Sequence, residues 1–318
     1  MEKEIAGRKV SGETFDVLVI GRSCLDYIAV VERFPEENKK VPLVFRLIEA
    51  GGQGGTSSCC IATLGGRTVY IGKLGDDDEG RFCLKRLKDF NVNTEHIDVV
   101  KKGRTSVAYI LVTKSNGNRT IVYEPSSLPK IEMDPAMEKM VLNTKVILLD
   151  PEVTYLGRQL NCIPKISAKI VYDGERWRDG IVEIMETADY FIPSFDLLDS
   201  KELGFGDLSI PDKIVSLNGM VRGELIVTAG AHGAYFVEDE TLYQVSVPKI
   251  SVKDTTGAGD NFHAAFALAV SKGKDLHEAV KFSVSVASLS CREYGGKNGI
   301  PDIQEAIQVA GSLSVQKR

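Results

Sequence analysis

Short, continuous apolar runs alternate with helical patterns along most of this 318-residue chain. The runs are rich in β-branched and aromatic residues and lie at residues 17–20, 69–71, 146–149, 170–172, 190–192 and 225–227. Runs of this kind are typical of strands in a parallel sheet that is covered on both faces. Helical stretches between them, such as residues 79–90 and 179–187, indicate strand–helix–strand units. The sequence therefore predicts an α/β fold, with a doubly wound, mostly parallel sheet and helices on both faces.

Two segments break this alternation. Residues 27–50 contain two apolar runs without a helix between them. Residues 105–125 contain two strand-like runs that are joined through Asn116-Gly117, and Asn-Gly is a strong hairpin signal. We therefore expect a small β-sheet apart from the main one, with an ordinary surface hairpin as the alternative.

Composition limits the classes of function. The chain is 43% hydrophobic and 26% charged, which suits one large domain, here about residues 15–310. We expect flexible tails at residues 1–14 and 311–318, which are polar or small. The formal net charge is -5 without a long basic run, so nucleic acid is not an expected partner.

Location is predicted from what the chain lacks. No apolar run approaches the roughly 20 residues that cross a bilayer, so no membrane association is expected. Residues 1–13 have no apolar signal core. The cysteines form no Cys-x-x-Cys pair and are expected to be reduced. We therefore expect a cytoplasmic protein.

Residues 254–260 read Asp-Thr-Thr-Gly-Ala-Gly-Asp and lead directly into an apolar helical pattern. Gly257, Ala258 and Gly259 have little or no side chain, so their backbone N–H groups can approach an anion closely. Asp260 would then lie beside a bound phosphate, where a carboxylate can accept the proton of an attacking hydroxyl. The alternative is a tight turn whose Asp only complements the helix dipole.

This stretch resembles the C-terminal signature of the ribokinase (PfkB-type) family of sugar and nucleoside kinases. A second family signature is formed by residues 51–55, 62–66 and 71–77. The resemblance spans about residues 15–305 and is closest in kind to ribokinase-like or ketohexokinase-like members. It implies a ribokinase-like fold in which the small sheet is a lid over the sugar site. It also implies transfer of the ATP γ-phosphoryl group to a sugar hydroxyl, with Asp260 as general base and the 257–259 amides as an anion hole.

The substrate side is predicted from position and from the resemblance. Asp26 follows the first strand, at the edge where open α/β sheets bind ligands, and it matches a sugar-binding Asp of the family. The alternative is an Asp that only caps a helix or forms a turn. Gly52 offers close backbone approach and Gln53 offers an amide for hydroxyls. Thr56 stands where ribokinase-like members often have Asn, and it is also a candidate helix cap.

Two further residues are expected on this side. Arg119, in the lid segment, could contact the transferring phosphoryl or an anionic substrate group. Glu152 follows the run at 146–149 and aligns with a substrate-side Glu of the family. Solvated or turn positions are the alternatives for both.

The resemblance also implies nucleotide and metal contacts. Thr228, Gly230 and Gly233 match the family's nucleotide-side strand and turn, with a plain glycine-rich hairpin as the alternative, and Asn298 is the predicted adenine-side contact. The implied cofactors are ATP and Mg²⁺, with a monovalent cation such as K⁺. The family's Asn-x-x-Glu magnesium motif is absent, so Asp254 is the predicted contact to a hydrated ion, with Asp196 as the alternative.

Two other functions stay open at this point. One is a nucleoside kinase of the same fold, in which a lid aromatic would stack on the base. The other is a non-catalytic, kinase-like regulatory or binding protein. The missing magnesium motif slightly favours it, whereas the intact Asp260 and 257–259 loop argue against it. The expected partner is a small sugar-like substrate, and the expected assembly is a homodimer through the lid.

Overall fold

The structure, a computed structural model, describes residues 14–164 and 166–318. The N-terminal tail predicted at residues 1–14 lies outside the described residues except for its last position. In the described part, the strands are β1 (Phe15–Ile20), β2 (Cys24–Val31), β3 (Phe45–Gly51), β4 (Thr68–Gly75), β5 (Ile97–Val100), β6 (Val107–Thr113), β7 (Arg119–Tyr123), β8 (Thr144–Leu149), β9 (Lys169–Gly174), β10 (Tyr190–Pro193), β11 (Glu224–Thr228), β12 (Ala234–Glu238), β13 (Thr241–Val245) and β14 (Val315–Lys317). The α-helices are α1 (Gln53–Thr63), α2 (Asp78–Asp89), α3 (Pro135–Leu142), α4 (Leu156–Asn161), α5 (Ile181–Met185), α6 (Ile210–Asn218), α7 (Ala258–Ser271), α8 (Leu276–Ser290) and α9 (Ile303–Ser312).

A ten-stranded sheet forms the centre of the molecule, in the order β14-β13-β12-β11-β10-β9-β8-β1-β4-β5. Neighbours from β5 to β11 are parallel, and β12, β13 and β14 add an antiparallel edge. The chain leaves β1 towards β4 on one side and later continues from β8 on the other. Open α/β sheets bind ligands at the carboxyl ends of strands at such a reversal. The predicted mostly parallel sheet is confirmed.

Apolar side chains on the two faces of the sheet form two separate cores. In β1, Val17 and Val19 point into one core, whereas Leu18 and Ile20 point into the other, as the twofold period of a strand requires. The first core is closed by α1, α2, α7, α8 and α9, and the second by α3, α4, α5 and α6. Helices therefore cover both faces, as predicted. None of the helices in the described ranges is long and apolar enough to span a bilayer.

A separate four-stranded sheet has the order β3-β2-β6-β7. It contains both segments that break the strand–helix alternation, so the prediction of a small second sheet is confirmed. Its inner face has an apolar cluster of its own, formed by Ile28, Val30, Ala108, Ile110 and Val112.

The C-terminal segment corrects one expectation. Residues 311–318 were expected to be a flexible tail, but α9 continues to Ser312 and β14 then pairs antiparallel with β13. The backbone N–H of Arg318 also donates to the carbonyl of Leu242. The physical reason is the edge of β13, whose backbone groups need partners that the short, polar β14 supplies.

Candidate active site

A cleft of about 460 Å³ opens between the small sheet and the carboxyl ends of the parallel strands. Both sheets contribute to its walls, through Asp26 on β2 and Asp173 at the end of β9, for example. It is the place that the strand reversal at β1 favours. The predicted site residues that line it are Asp26, Gly52, Gln53, Thr56, Arg119, Thr228, Gly257, Gly259 and Asp260.

The 257–259 loop opens α7, as the sequence predicts. Gly257 is the N-cap residue with a φ of 73°, and its side-chain-free Cα packs so closely on Gly296 that a Cβ would lie 2.7 Å from the Gly296 Cα. A side chain at position 257 would therefore strain the loop before it reached a ligand. The N–H of Ala258, which was predicted to be part of the anion hole, donates to the Thr255 carbonyl at 3.3 Å. In the described part of the chain, the amides of Gly259 and Asp260 donate to no protein acceptor, and no side chain caps the helix. These amides are available to an anion at the positive end of the helix dipole.

Asp260 lies in the first turn of α7, where its backbone carbonyl accepts a hydrogen bond of 3.1 Å from the Ser57 hydroxyl of α1. Burial raises the pKa of its carboxyl group to about 7, and the negative charge of Asp173 acts in the same direction. The positive charge of Arg119 acts against this rise. A carboxylate with a pKa near neutrality is suited to accept a proton and release it again.

His263 connects the first turn of α7 to the central sheet. Its Nδ1 lies 2.7 Å from the Gly259 carbonyl oxygen, and its Nε2 lies 2.9 Å from the carbonyl oxygen of Ile192 at the end of β10. Its Nδ1 is also 3.6 Å from an Asp173 carboxylate oxygen. Burial lowers the pKa of His263 and raises that of Asp173 well above its usual range. The ring thus ties the start of α7 to the sheet edge.

Asp26 lies on β2, in the small sheet, rather than in the turn after β1. The Cys24 thiol donates to its Oδ1 at 3.0 Å. Gly51 leaves room for the carboxylate, since a Cβ there would be 1.9 Å from Oδ2. Burial raises the pKa of Asp26, whereas the Cys24 hydrogen bond and the charges of Lys297 and Arg22 act in the opposite direction. The result is a buried acceptor in the wall of the cleft.

The start of α1 is placed beside Asp26. Gly52, with a φ of 81°, is the N-cap residue and Gln53 begins the helix, so Thr56 is not a cap but lies buried in the first turn. The methyl group of Thr56 would be 3.3 Å from a Cβ at Gly257, which places it next to the 257–259 loop. The Gln53 amide donates to Glu175 at 3.4 Å. The amide and the hydroxyl therefore lie between the substrate side and the phosphate side of the cleft.

The small sheet contacts the phosphate loop through its hairpin. Arg119 Nη1 donates to the Thr255 hydroxyl at 3.0 Å, and the Thr255 N–H donates to the Gly117 carbonyl at 3.3 Å. Arg119 therefore meets the 254–260 loop directly, as a lid residue with a phosphate-side role would.

Several predicted residues have other surroundings. Glu152 lines a neighbouring pocket, not the cleft, and pairs with Arg22 at 3.7 Å and Arg178 at 3.1 Å. Asn298 is turned to its own loop and donates to the Tyr294 carbonyl at 2.8 Å. Neither side chain reaches the cleft, because local hydrogen bonds and ion pairs direct both elsewhere.

The turn after β11 is a tight hairpin. Ala229 N–H donates to the Gly233 carbonyl, and a Cβ at Gly233 would lie 1.9 Å from the Val245 carbonyl oxygen. Gly233 and Gly230, which has a φ of 52°, do not line the cleft. Thr228 does, while its hydroxyl donates to the Pro193 carbonyl at 3.3 Å. The glycine-rich hairpin that was the alternative interpretation therefore describes this turn.

Asp254 is almost fully buried, and its carboxylate accepts hydrogen bonds from two loops. One carboxylate oxygen accepts from the Thr256 N–H at 2.8 Å and from its hydroxyl at 2.7 Å, and the other accepts from the Gly295 N–H at 2.9 Å. These bonds join the 254–260 loop to the loop that starts at Gly295. This arrangement favours a structural role for Asp254 over contact with a metal ion.

The sequence interpretation missed several side chains that line the cleft: Arg22, Asp173, Glu175, Arg176, Arg178 and Lys297. Asp173 and Glu175 follow the run at 170–172, so the rule that selected Asp26 and Glu152 would have found them. The basic residues lie in turns, where no periodic pattern indicates the direction of a side chain.

No group of three or more His, Cys, Asp or Glu side chains in residues 14–164 and 166–318 could hold a metal ion alone. Mg²⁺ usually keeps several waters and binds through substrate phosphates and one or two carboxylates, so this does not conflict with a nucleotide-bound ion. Asp196, whose side chain is exposed in the cleft, is a carboxylate that fits this task.

Comparison with known proteins agrees with this geometry. Residues 14–303 match the family model described as pfkB family carbohydrate kinase. The chain is 26% identical to a ribokinase from Bacillus subtilis, over 92% of this chain and 99% of that protein, and 25% identical to a ketohexokinase from Mus musculus, over 88% and 97%. The structure of Arabidopsis thaliana ribokinase complexed with ribose and ATP superimposes with a TM-score of 0.78 at 25% identity, covering 94% of this chain and 99% of that one. The chain therefore belongs to the pfkB family of carbohydrate kinases.

Proposed function

We propose that this kinase transfers the γ-phosphoryl group of ATP to a hydroxyl of a sugar-like alcohol, with Asp260 as the general base. One observation carries the proposal: a carboxyl group whose pKa is raised to about 7 by burial lies in the same helical turn as amides that have no protein acceptor. This turn lines the same cleft as Asp26, a buried carboxyl group that can accept hydrogen bonds from substrate hydroxyls.

In the proposed reaction, Asp26 and Gln53 hold hydroxyls of the acceptor. Asp260 takes the proton of the reacting hydroxyl as the hydroxyl oxygen attacks the γ-phosphorus, and the bond from that phosphorus to the bridging oxygen breaks to release ADP. The amides of Gly259 and Asp260 donate to the phosphoryl oxygens, on which charge accumulates, and Arg119 adds a positive charge beside them. The small sheet closes over the site and limits access of water, which would otherwise accept the phosphoryl group.

Mg²⁺, when bound with ATP, would neutralise charge on the nucleotide phosphates. Asp196 is the carboxylate that we assign to its water shell. Thr228 lies on the same side of the cleft and is the candidate nucleotide contact. A requirement for K⁺ stays a prediction, to be measured by replacing K⁺ with Na⁺ at constant ionic strength.

The aromatic residues of the small sheet give little support to a nucleoside acceptor. Tyr109 stacks on Tyr27 and Phe45 stacks on Tyr294, and none of these four rings lines the cleft. Tyr123 does line it, but the Arg22 guanidinium lies 5.6 Å from the centre of its ring. A base would have to displace that cation in order to stack there.

The outer face of the small sheet supports a homodimer. Ile48, Tyr109 and Val122 are 48%, 57% and 64% exposed. They lie in register across the small sheet on β3, β6 and β7, with Tyr27 of β2 between Ile48 and Tyr109. A continuous apolar face of this kind is usually covered by a partner. We propose that this partner is a second copy of the chain. Sedimentation equilibrium tests this: we expect a dimer for the wild type and a monomer for Val122→Lys.

The kinase proposal is tested with purified protein, ATP and a panel of polyols, sugars and nucleosides. We expect ADP formation that depends on the acceptor, with the phosphorylated alcohol identified by mass spectrometry. ATP consumption that is equal with and without every acceptor would contradict the proposal and favour a non-catalytic relative.

A further inference from the structure

Lys297 is a buried lysine without a partner in the wall of the cleft. Only 4% of its surface is exposed, and its side chain lines the cleft beside that of Asp26. Within residues 14–164 and 166–318, no carboxylate lies within ion-pair distance of its ammonium group and no acceptor is hydrogen-bonded to it. The charge of Lys297 acts on the neighbouring Asp26 carboxyl group, but the ammonium group itself is unpaired in the described residues and so can pair with an anion bound in the cleft.

The loop around Lys297 is held rigidly. Gly295 N–H donates to Asp254, and the Asn261 amide donates to the Gly296 carbonyl at 2.8 Å. The carbonyl of Lys297 itself accepts from the Ile300 N–H. The ammonium group is therefore presented from a fixed backbone, which lowers the entropic cost of binding an anion there.

Two arginines of the same cleft also have unused donors. Arg22 and Arg178 both contact Glu152, yet each has a buried Nε without a hydrogen-bond partner in the described residues. Guanidinium groups with free N–H donors are suited to planar or tetrahedral anions. Glu152 and, for Arg178, Glu175 balance part of their charge, but an anionic group on the acceptor would supply the acceptors that the two Nε donors lack in the described residues.

We propose that the acceptor alcohol carries an anionic group, a carboxylate, phosphate or sulfonate, and that Lys297 is its main contact, with Arg22 and Arg178 as further donors. The inference rests on the proposed kinase function and narrows its substrate class to acidic sugar derivatives. In this arrangement Asp26 accepts from the hydroxyls of the acceptor, while Lys297 pairs with its charge.

The test uses matched acceptors that differ in one substituent: a sugar, the corresponding sugar acid and the corresponding sugar monophosphate. For the wild type we expect kcat/KM to be highest for one of the two anionic compounds, which also distinguishes a sugar acid from a sugar phosphate. Lys297→Met, similar in length but uncharged, should raise the KM for that compound about ten- to hundred-fold, as the loss of one charge-assisted hydrogen bond would. Lys297→Arg should restore much of the preference.

Lys85→Met is the matched control, since Lys85 is an exposed lysine of α2 that pairs with Asp89. It should change neither the KM for the anionic acceptor nor the KM for ATP. Thermal shift without ATP gives a second readout: the anionic acceptor should stabilise the wild type but not Lys297→Met. Lys297→Gln provides the same comparison with a polar side chain if Met prevents folding.

Three outcomes would overturn the inference. They are a preference of the wild type for the neutral sugar, an unchanged preference in Lys297→Met, and a rise in the KM for ATP alone. If no acceptor is phosphorylated, the kinase proposal fails, whereas the thermal-shift comparison still decides whether Lys297 forms an anion site.

Discussion

Replacing Asp260 by Asn removes the proposed base and keeps the shape of the first turn of α7. The amides that we assign to the phosphoryl group belong to the backbone, and the Ser57 hydrogen bond is made to the Asp260 carbonyl, so both remain in Asp260→Asn. The variant should therefore bind ATP normally. General-base catalysis contributes about 10²–10⁴ to rate, and we expect kcat to fall by at least about 10².

The raised pKa of Asp260 also predicts a change in stability. The carboxyl group has a pKa of about 7 in the folded protein and 3.8 as its ordinary value. The folded state therefore holds this proton more tightly, and the wild type loses stability as the pH rises from about 4 to about 7. About three pKa units correspond to roughly 4 kcal/mol, which is an upper bound because the side chain is partly exposed. Asn has no such penalty, so Asp260→Asn should be more stable than the wild type above about pH 7, with little difference near pH 4.

Two assays check this reasoning. Urea unfolding at about pH 5 and about pH 8 should give a larger gain for Asp260→Asn at the higher pH. The kcat/KM of the wild type for the acceptor should rise through about pH 7, and this limb should be absent from the residual activity of the variant. A kcat within about ten-fold of the wild type, or an equal stability difference at both pH values, would refute the role of Asp260.

Three further changes separate the parts of the site. Asp26→Ala leaves acceptor hydroxyls without a charged partner, worth about 1.5–3 kcal/mol, so the KM for the alcohol should rise about ten- to hundred-fold in steady-state assays, and an equal rise for ATP would exclude the assigned role. Gly259→Val should fold, because a Cβ at this position meets no atom within 4 Å, but its side chain would obstruct the phosphoryl group; an unchanged KM for ATP and unchanged kcat would contradict the anion hole. Asp254→Ala leaves the Gly295 and Thr256 donors unpaired and should lower the melting temperature by several degrees, at about 1–3 kcal/mol per buried group, whereas an intact melting temperature with a changed Mg²⁺ requirement would favour a metal role.

The sheet could be predicted because its central strands are buried on both faces. The run at 146–149, for instance, has no polar residue, and the structure places it as β8 beside β1. The strand β14 could not, because Val315–Lys317 is short and polar and is ordered by the backbone of β13 rather than by its own side chains. Periodicity detects burial, and this edge strand buries little.

Some residues of the candidate site could likewise be predicted from the sequence, and others could not. Gly257 and Asp260 were predicted from a local motif, because the proposed phosphate cradle and the proposed base lie together at the start of α7. Glu152 was predicted from its position and the family resemblance, and Asn298 from the resemblance. In the structure both side chains are directed away from the cleft, through contacts with Arg178 and the Tyr294 carbonyl. Lys297 was missed because the position of its loop depends on a hydrogen bond from Gly295 to Asp254, a residue distant in sequence. No local sequence pattern indicates such a contact.

The central claim is transfer of a phosphoryl group to an alcohol by the Asp260 turn. A single-turnover experiment with γ-labelled ATP, excess enzyme and the best acceptor of the panel tests it directly. The account predicts that the label appears in the phosphorylated alcohol with the wild type, and at a rate lower by at least about 10² with Asp260→Asn. Label recovered as inorganic phosphate, or transferred equally fast by both proteins, would contradict it.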